Sequence, residues 1–193
     1  MDPKISRLSV QPAPILSLLA KMRGDLPAPA RAAWPEIFWS WLGSLLGILL
    51  VAALDRLLFQ DTERMLLIGS FGASAVLIYG APSSPLAQPR NLLLGHFVSA
   101  LIGVACAQLL PQQSWLAAPL AVSGAIALMQ LTRSLHPPGG ATALIAVIGS
   151  EQIHALGFLY AFLPVLSGAA LMLAVALLLN NLVPTRRYPL WWW

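Results

Sequence analysis

The feature that most constrains the fold is a break in the apolar sequence at residues 133–142, Arg-Ser-Leu-His-Pro-Pro-Gly-Gly-Ala-Thr. The two prolines remove backbone N–H donors and the two glycines loosen the chain, so one helix cannot run unbroken through this stretch. At membrane depth such backbone is tolerated only where it is buried in protein or lines a water-filled cavity. Because it carries an Arg and a His, the break is a candidate functional site.

Composition indicates that the apolar sequence on both sides of this break lies in a membrane. Of the 193 residues, 58% are hydrophobic and only 9% are charged, whereas a soluble domain carries about 25% charged residues. The sequence therefore predicts an all-α polytopic membrane protein, and the lipid bilayer is an expected partner. In this class basic residues mainly fix topology, so the net charge of +4 does not indicate nucleic-acid binding.

The apolar pattern predicts about six hydrophobic helical segments, and arrangements with four or five spans remain open. The segments are expected near residues 37–54, 65–79, 92–110, 115–131, 141–149 and 155–182. The second and fifth are shorter than the roughly 20 residues that cross a bilayer, and each adjoins a Pro/Gly-rich stretch. Asn91 is the expected N-cap of the third segment.

Three regions follow from this pattern: an N-terminal tail at 1–36, a transmembrane domain at 37–184 and a basic, aromatic tail at 185–193. The run at 15–20 fits either a short amphipathic helix on the membrane surface or a disordered tail. With six segments, nine of the eleven basic residues share the side of both termini. The positive-inside rule then places both termini in the cytoplasm of a bacterial cell, with the domain in the inner membrane.

Small residues recur at helical spacing in two segments. Gly43 and Gly47 form a GxxxG pair in the first, and Gly95, Ser99 and Gly103 recur every four residues in the third. Both patterns predict close helix packing, and such faces also allow a homo-oligomer.

A second Pro-rich stretch, residues 80–91, carries Arg90 and leads into a helix, as the break at 133–142 does. A helix N-terminus attracts anions, and transporters with broken helices use such termini for anionic substrates. We therefore predict a two-part anion site in which Arg90 and Arg133 supply positive charge. His136 is expected to donate a hydrogen bond or to carry a proton. The other expected substrate-binding residues are Asn91, His96 and the backbone N–H groups around Gly139, Gly140 and Thr142.

The same side chains also fit purely structural roles. Arg90 and Arg133 can mark topology at helix ends, His136 can brace the Pro-Pro turn, and His96 can hydrogen-bond a neighbouring helix. A passive scaffold, however, does not need charged, broken backbone. A structural or partner-binding membrane subunit is therefore the alternative to a transporter.

An enzyme is not predicted. HExxH, a P-loop, GxGxxG and paired aspartates are absent from the sequence, so neither a cofactor nor a metal site is expected. The single Cys106 is read as a small buried hydrophobe. An intramembrane serine hydrolase would need a His beside a Ser such as Ser74. The six-segment arrangement predicts that neither His96 nor His154 reaches Ser74.

Residues 133–143 resemble the signature of the HPP family of integral membrane proteins, which is named for its His-Pro-Pro tripeptide. Residues 69–75, Ala81-Pro82, the stretch 88–91 and Gly95-His96 are similar to that family's other recurrent segments. The resemblance covers about residues 36–184. It implies a transporter, and since some members are associated with nitrite transport, it implies a small anion as the substrate.

Overall fold

The computed structural model describes residues 19, 21, 22, 26–59 and 69–193. The regular elements in this described part of the chain are helical, which confirms the all-α polytopic prediction. They are α1 Trp34–Phe59, α2 Ser70–Gly80, α3 Pro89–Leu109, α4 Ser114–Leu131, α5 Pro137–Ile148 and α6 Glu151–Leu182. The predicted surface helix at 15–20 lies, except for Leu19, outside the described residues, as do residues 60–68.

Four of the six helices, α1, α3, α4 and α6, are long and apolar enough to cross a membrane. The other two, α2 and α5, are shorter, and the 12 residues of α5 span only roughly 18 Å at 1.5 Å per residue. Within α6 a 3-10 turn at Gly157–Ala161 and a π turn at Phe162–Leu166 interrupt the α-helix. The π turn contains Pro164, so the last helix accommodates this proline by a change of helix type.

Proline starts two of the helices instead of breaking them. Pro89 and Pro137 occupy the first turns of α3 and α5, where a missing N–H costs nothing because that group has no partner within the helix. Both helices therefore begin earlier than predicted. The prediction that Asn91 caps α3 is wrong, because Pro89 moves the helix start and Gln88 occupies the N-cap position.

Hydrogen bonds place several helix ends together. Arg186, just after α6, forms a 2.7 Å ion pair with Glu36 at the start of α1. Arg90 at the start of α3 donates to the carbonyl of Thr132 just after α4 over 2.6 Å. We call the end of the bundle that contains Arg90, Arg133 and Arg186 the arginine end. The opposite end, where α3 passes into α4, is called the far end.

Glycines bring the helices close together. A Cβ on Gly47 of α1 would lie 2.1 Å from the hydroxyl oxygen of Tyr79 in α2, so the GxxxG face packs within the chain. A Cβ on Gly103 of α3 would lie 2.5 Å from the carbonyl oxygen of Ala143 in α5, and one on Gly139 would lie 2.7 Å from Ser99 Oγ. The small-residue stripe of α3 therefore packs against α5, as the spacing predicted.

Candidate functional site

A chain of buried polar side chains crosses the middle of the packed unit. Ser74 Oγ on α2 lies 2.7 Å from His96 Nε2 on α3 and 2.9 Å from His136 Nε2, just before α5. All three side chains are fully buried. One serine hydroxyl thus bridges two imidazoles and joins three separate segments of the chain.

Both imidazoles are held at their second nitrogen as well. His136 Nδ1 lies 2.9 Å from the carbonyl oxygen of Leu86, and His96 Nδ1 lies 2.7 Å from Thr142 Oγ1 on α5. The Thr142 hydroxyl in turn donates to Ser70 Oγ over 2.9 Å. We call Ser70, Thr142, His96, Ser74 and His136 the histidine chain. Because each ring is bonded on both sides, the ring orientations are fixed.

Local sequence explains why these groups meet. Ser70 and Ser74 are four residues apart on α2 and therefore lie on one helical face. His96 lies in the second turn of α3, and the extended backbone of His136 precedes the first turn of α5. Glycines at the α3–α5 contact, Gly95 and Gly139, let the two segments approach closely enough for the rings to lie 4.9 Å apart, centroid to centroid.

The prediction that no histidine reaches Ser74 is wrong. It assigned depth by counting residues along single helices, whereas the short α2 places Ser74 directly beside the starts of α3 and α5. A serine beside an imidazole resembles a nucleophile–base pair. However, Ser74 is fully buried and lines neither of the two cavities described below.

A cavity of about 460 Å³ opens at the arginine end. We call it the arginine cavity, and its lining includes Arg90, Asn91, Arg133, Trp191 and Trp193. Three of the predicted substrate-binding residues therefore share one cavity: Arg90 and Asn91 come from the start of α3, and Arg133 comes from the segment just after α4.

Two buried polar atoms beside this cavity have no hydrogen-bond partner. Arg90 donates through Nη2 to the Thr132 carbonyl, but its Nε is buried and unpartnered. Asn91 donates through Nδ2 to the carbonyl of Leu135 over 2.7 Å, and its Oδ1 has no partner. Since buried polar atoms are nearly always hydrogen-bonded, an unpartnered guanidinium N–H indicates a place where a ligand or water completes the set.

Arg133 has an unusual backbone conformation. Its φ is +53°, the only positive φ of a non-glycine residue in the described part of the chain. The N–H groups of Arg133 and Ser134 donate to the carbonyls of Gln130 and Met129, which closes the end of α4 in a Schellman motif. Glycine normally occupies this left-handed position, because a side chain there costs about 1–2 kcal/mol.

A second cavity, of about 240 Å³, lies at the far end and is lined by Val104, Gln108, Ser114, Ala146 and His154, among others. We call it the far cavity. Asn91 in the arginine cavity and Val104 in the far cavity lie on the same helix, α3, separated by roughly 20 Å of helix. His96 and the close contact of Gly103 with Ala143 lie between them. The histidine chain therefore separates two openings at opposite ends of the bundle.

The predicted site residues thus fall into two groups. Arg90, Asn91 and Arg133 line the arginine cavity, and His96, His136 and Thr142 form the buried chain. Of the predicted glycine N–H donors, that of Gly139 already has a partner within the chain. The N–H of Gly139 donates to the His136 carbonyl, and Gly140 packs toward Val122. Sequence reasoning missed Ser70, and it considered Ser74 only as a hydrolase serine out of reach of a histidine. The spacing of four residues between the two serines was the available signal.

Comparison with known proteins adds a family match. The family described as HPP, transmembrane region, matches residues 29–189. Two transmembrane proteins of Dictyostelium discoideum are similar to this chain. One is 52% identical over 176 residues, which cover 90% of this chain and 56% of the relative. The other is 53% identical over 161 residues, which cover 82% of this chain and 56% of the relative. The chain thus spans about half the length of these relatives. No solved structure matches it.

The histidine chain predicts unequal effects for two matched serine substitutions. Ser74→Ala leaves Nε2 of both buried imidazoles without a partner, so we expect the free energy of unfolding to fall by about 1–3 kcal/mol. Ser99→Ala, the matched control, removes an equally buried hydroxyl that has no partner, and should be neutral or stabilising. Reversible unfolding in mixed micelles measures both values. Equal losses in the two variants would show that the Ser74 hydrogen bonds contribute nothing to stability.

Proposed function

The chain belongs to the HPP transmembrane family, and in the membrane setting that this membership establishes, we propose that it transports a small inorganic anion of the size of nitrite. The single observation that carries the proposal is the Nε of Arg90, a buried, unpartnered cationic donor beside a cavity of about 460 Å³. A small oxyanion offers the acceptor oxygens that such a guanidinium group binds.

Arg133 supports the proposal through its backbone strain. A strained residue persists where the surrounding structure holds it, and strained positions cluster at functional sites. Glycine would close the end of α4 at lower cost, yet the chain has an arginine there, with its side chain lining the arginine cavity. In our account, the charge of Arg133 attracts the anion to the cavity that contains Arg90.

The two cavities support movement of the anion through the protein. They lie at opposite ends of α3, and no described residue lines both. The histidine chain and the Gly103 contact with Ala143 would then form the barrier that opens alternately toward each end. The alternative, a structural or partner-binding membrane subunit, gives no role to the unpartnered arginine donor.

The first experiment tests the role of Arg90. In proteoliposomes, Arg90→Gln should lower the initial rate of nitrite uptake by about tenfold or more, because a hydrogen bond to a charged group contributes about 1.5–3 kcal/mol. Arg187→Gln is the matched control, since Arg187 is exposed in the tail at the same end and does not line the cavity. Equal rates in the two variants would remove Arg90 from the anion site.

A glycine at position 133 separates stability from transport. Arg133→Gly should raise the free energy of unfolding by up to about 1 kcal/mol, because glycine adopts a positive φ without strain. The same variant should take up nitrite more slowly than wild type, since it loses a cationic side chain from the cavity. Unfolding in mixed micelles and vesicle uptake measure the two effects. A variant that is less stable, or that transports at the wild-type rate, contradicts this reading of Arg133.

We further propose that the protein lies in the inner membrane of a bacterium with both termini in the cytoplasm. The contacts of Arg186 with Glu36 place the start of α1 and the end of α6 at the arginine end. Arg90 and Arg133 belong to the same end, and the positive-inside rule favours the cytoplasm for an end rich in basic residues. Reporter fusions at both termini should therefore give cytoplasmic activity in bacteria. Periplasmic activity of either fusion would contradict this orientation.

A further inference from the structure

We propose that the histidine chain is a one-proton relay and that the transported anion moves together with a proton. The inference rests on the proposed anion transport and adds its coupling ion. It is carried by the number of hydrogen atoms that the buried contacts require, together with the position of the chain between the two cavities.

The two outer contacts of the chain fix two of these hydrogens. The Leu86 carbonyl can only accept, so His136 Nδ1 must carry a proton. The Thr142 hydroxyl donates its hydrogen to Ser70 Oγ, so the hydrogen between Thr142 and His96 must come from His96 Nδ1. Each imidazole therefore already carries one proton, the number that makes it neutral.

The two inner contacts then need one hydrogen more than the neutral groups supply. Ser74 Oγ contacts Nε2 of both rings, and these two hydrogen bonds require two hydrogens. The Ser74 hydroxyl has only one. With Thr142 donating to Ser70, the fully bonded chain therefore contains one extra proton, which makes one of the two histidines an imidazolium ion.

Rotation of the Thr142 and Ser70 hydroxyls gives a form without the extra proton, in which the hydrogen bond between them runs opposite to the direction found in the structure. If Ser70 donates to Thr142 and Thr142 donates to His96 Nδ1, then His96 Nε2–H donates to Ser74 and Ser74 donates to His136 Nε2. Every contact in the chain again has one hydrogen. Loading or unloading the proton therefore needs only rotation of the Ser70 and Thr142 hydroxyls. The number of hydrogen-bonded contacts in the histidine chain stays the same. A second extra proton would place two cations at adjacent rings and leave an N–H without an acceptor.

The loaded proton can move between the rings through Ser74. The N–H bond at His96 Nε2 breaks as a new O–H bond forms at Ser74. The original Ser74 O–H bond breaks as an N–H bond forms at His136 Nε2. One positive charge passes from His96 to His136, and the serine leaves the step unchanged. Contacts of 2.7 and 2.9 Å are within the range for such transfer.

Few other titratable groups surround the histidine chain. Among described residues the side-chain carboxylates are Glu36, Asp55 and Glu151, of which Glu36 pairs with Arg186 at the arginine end. The titratable or charged side chains of the elements packed against it are Tyr79 at the end of α2, Arg90 and Cys106 on α3, Arg133 after α4, and Glu151, His154 and Tyr160 in α6. The Tyr160 hydroxyl donates to the Thr142 carbonyl.

Position couples the relay to the anion. The carbonyl of Leu86 accepts from His136 Nδ1, and Leu135 directly precedes His136 in the sequence. Both leucines line the arginine cavity. A proton on His136 therefore adds positive charge beside the cavity that contains Arg90 and Arg133. An anion there would favour the proton on His136, and the proton would strengthen anion binding by the same factor.

The first experiment measures coupling in proteoliposomes that contain a pH indicator. With the membrane potential clamped at zero, an inward proton gradient should drive nitrite above its equilibrium concentration, and nitrite uptake should acidify the lumen. Protein-free vesicles correct for permeation of nitrous acid. Ser74→Ala should lower this proton-driven accumulation by about 100-fold or more, whereas Ser99→Ala should match wild type. Nitrite uptake without proton movement in wild type, or wild-type accumulation by Ser74→Ala, overturns the relay.

The second experiment tests the relay without transport or a Ser74 variant. The chain has three histidines, so ¹⁵N-histidine labelling in lipid nanodiscs gives six ring-nitrogen signals, and His154→Gln identifies those of the third ring. At high pH the protonated nitrogens should be His136 Nδ1 and His96 Nε2. Acidification should add one proton shared by the two rings. Protonation of other ring nitrogens at high pH would overturn the relay. So would two rings that both stay neutral on acidification, or two rings that take up two protons. If wild type takes up one proton but moves no anion, the proposed function fails and the relay remains.

Discussion

The fold depends on the hydroxyl of Ser74, which lies between two buried imidazoles. The hydrocarbon core of a bilayer contains no water to satisfy a polar group, so a fully buried polar side chain in a membrane-spanning bundle needs a partner. Ser74 provides partners for His96 and His136 simultaneously. This one side chain therefore fixes how α2, α3 and the lead-in to α5 meet, and the glycine contacts of α3 with α5 make room for the arrangement.

A second polar network holds the arginine end. Arg186 donates to Glu36, Ser40, Asn180 and the Tyr79 carbonyl, and so connects α1, the end of α2 and α6. Its side chain is only 5% exposed, and every one of its guanidinium nitrogens has a partner. Arg90 differs, because its Nε has none. In our proposal, this contrast assigns a structural role to Arg186 and a binding role to Arg90.

Much of this arrangement could be predicted from the sequence, because membrane physics restricts the choices strongly. Long uncharged tracts predicted the helical segments, and the two Pro-rich stretches indicated Arg90, Arg133 and His136 as candidate site residues. The helix starts were misplaced, since proline at a first helical turn was taken as part of a break. The contact of Ser74 with His96 was not predicted, because it depends on where a short helix lies in depth. Residue counts along one segment do not contain that information.

The strain at Arg133 and the free donor of Arg90 concern the same cavity, although one is a backbone property and the other a side-chain property. Neither is needed to hold the helices together, which is why we assign both to an anion. The most direct test is the initial rate of nitrite uptake by wild-type protein in liposomes, as a function of nitrite concentration. Our account predicts a rate that saturates and exceeds that of protein-free vesicles. A rate equal to that of empty vesicles, for nitrite and for other small anions, would contradict it.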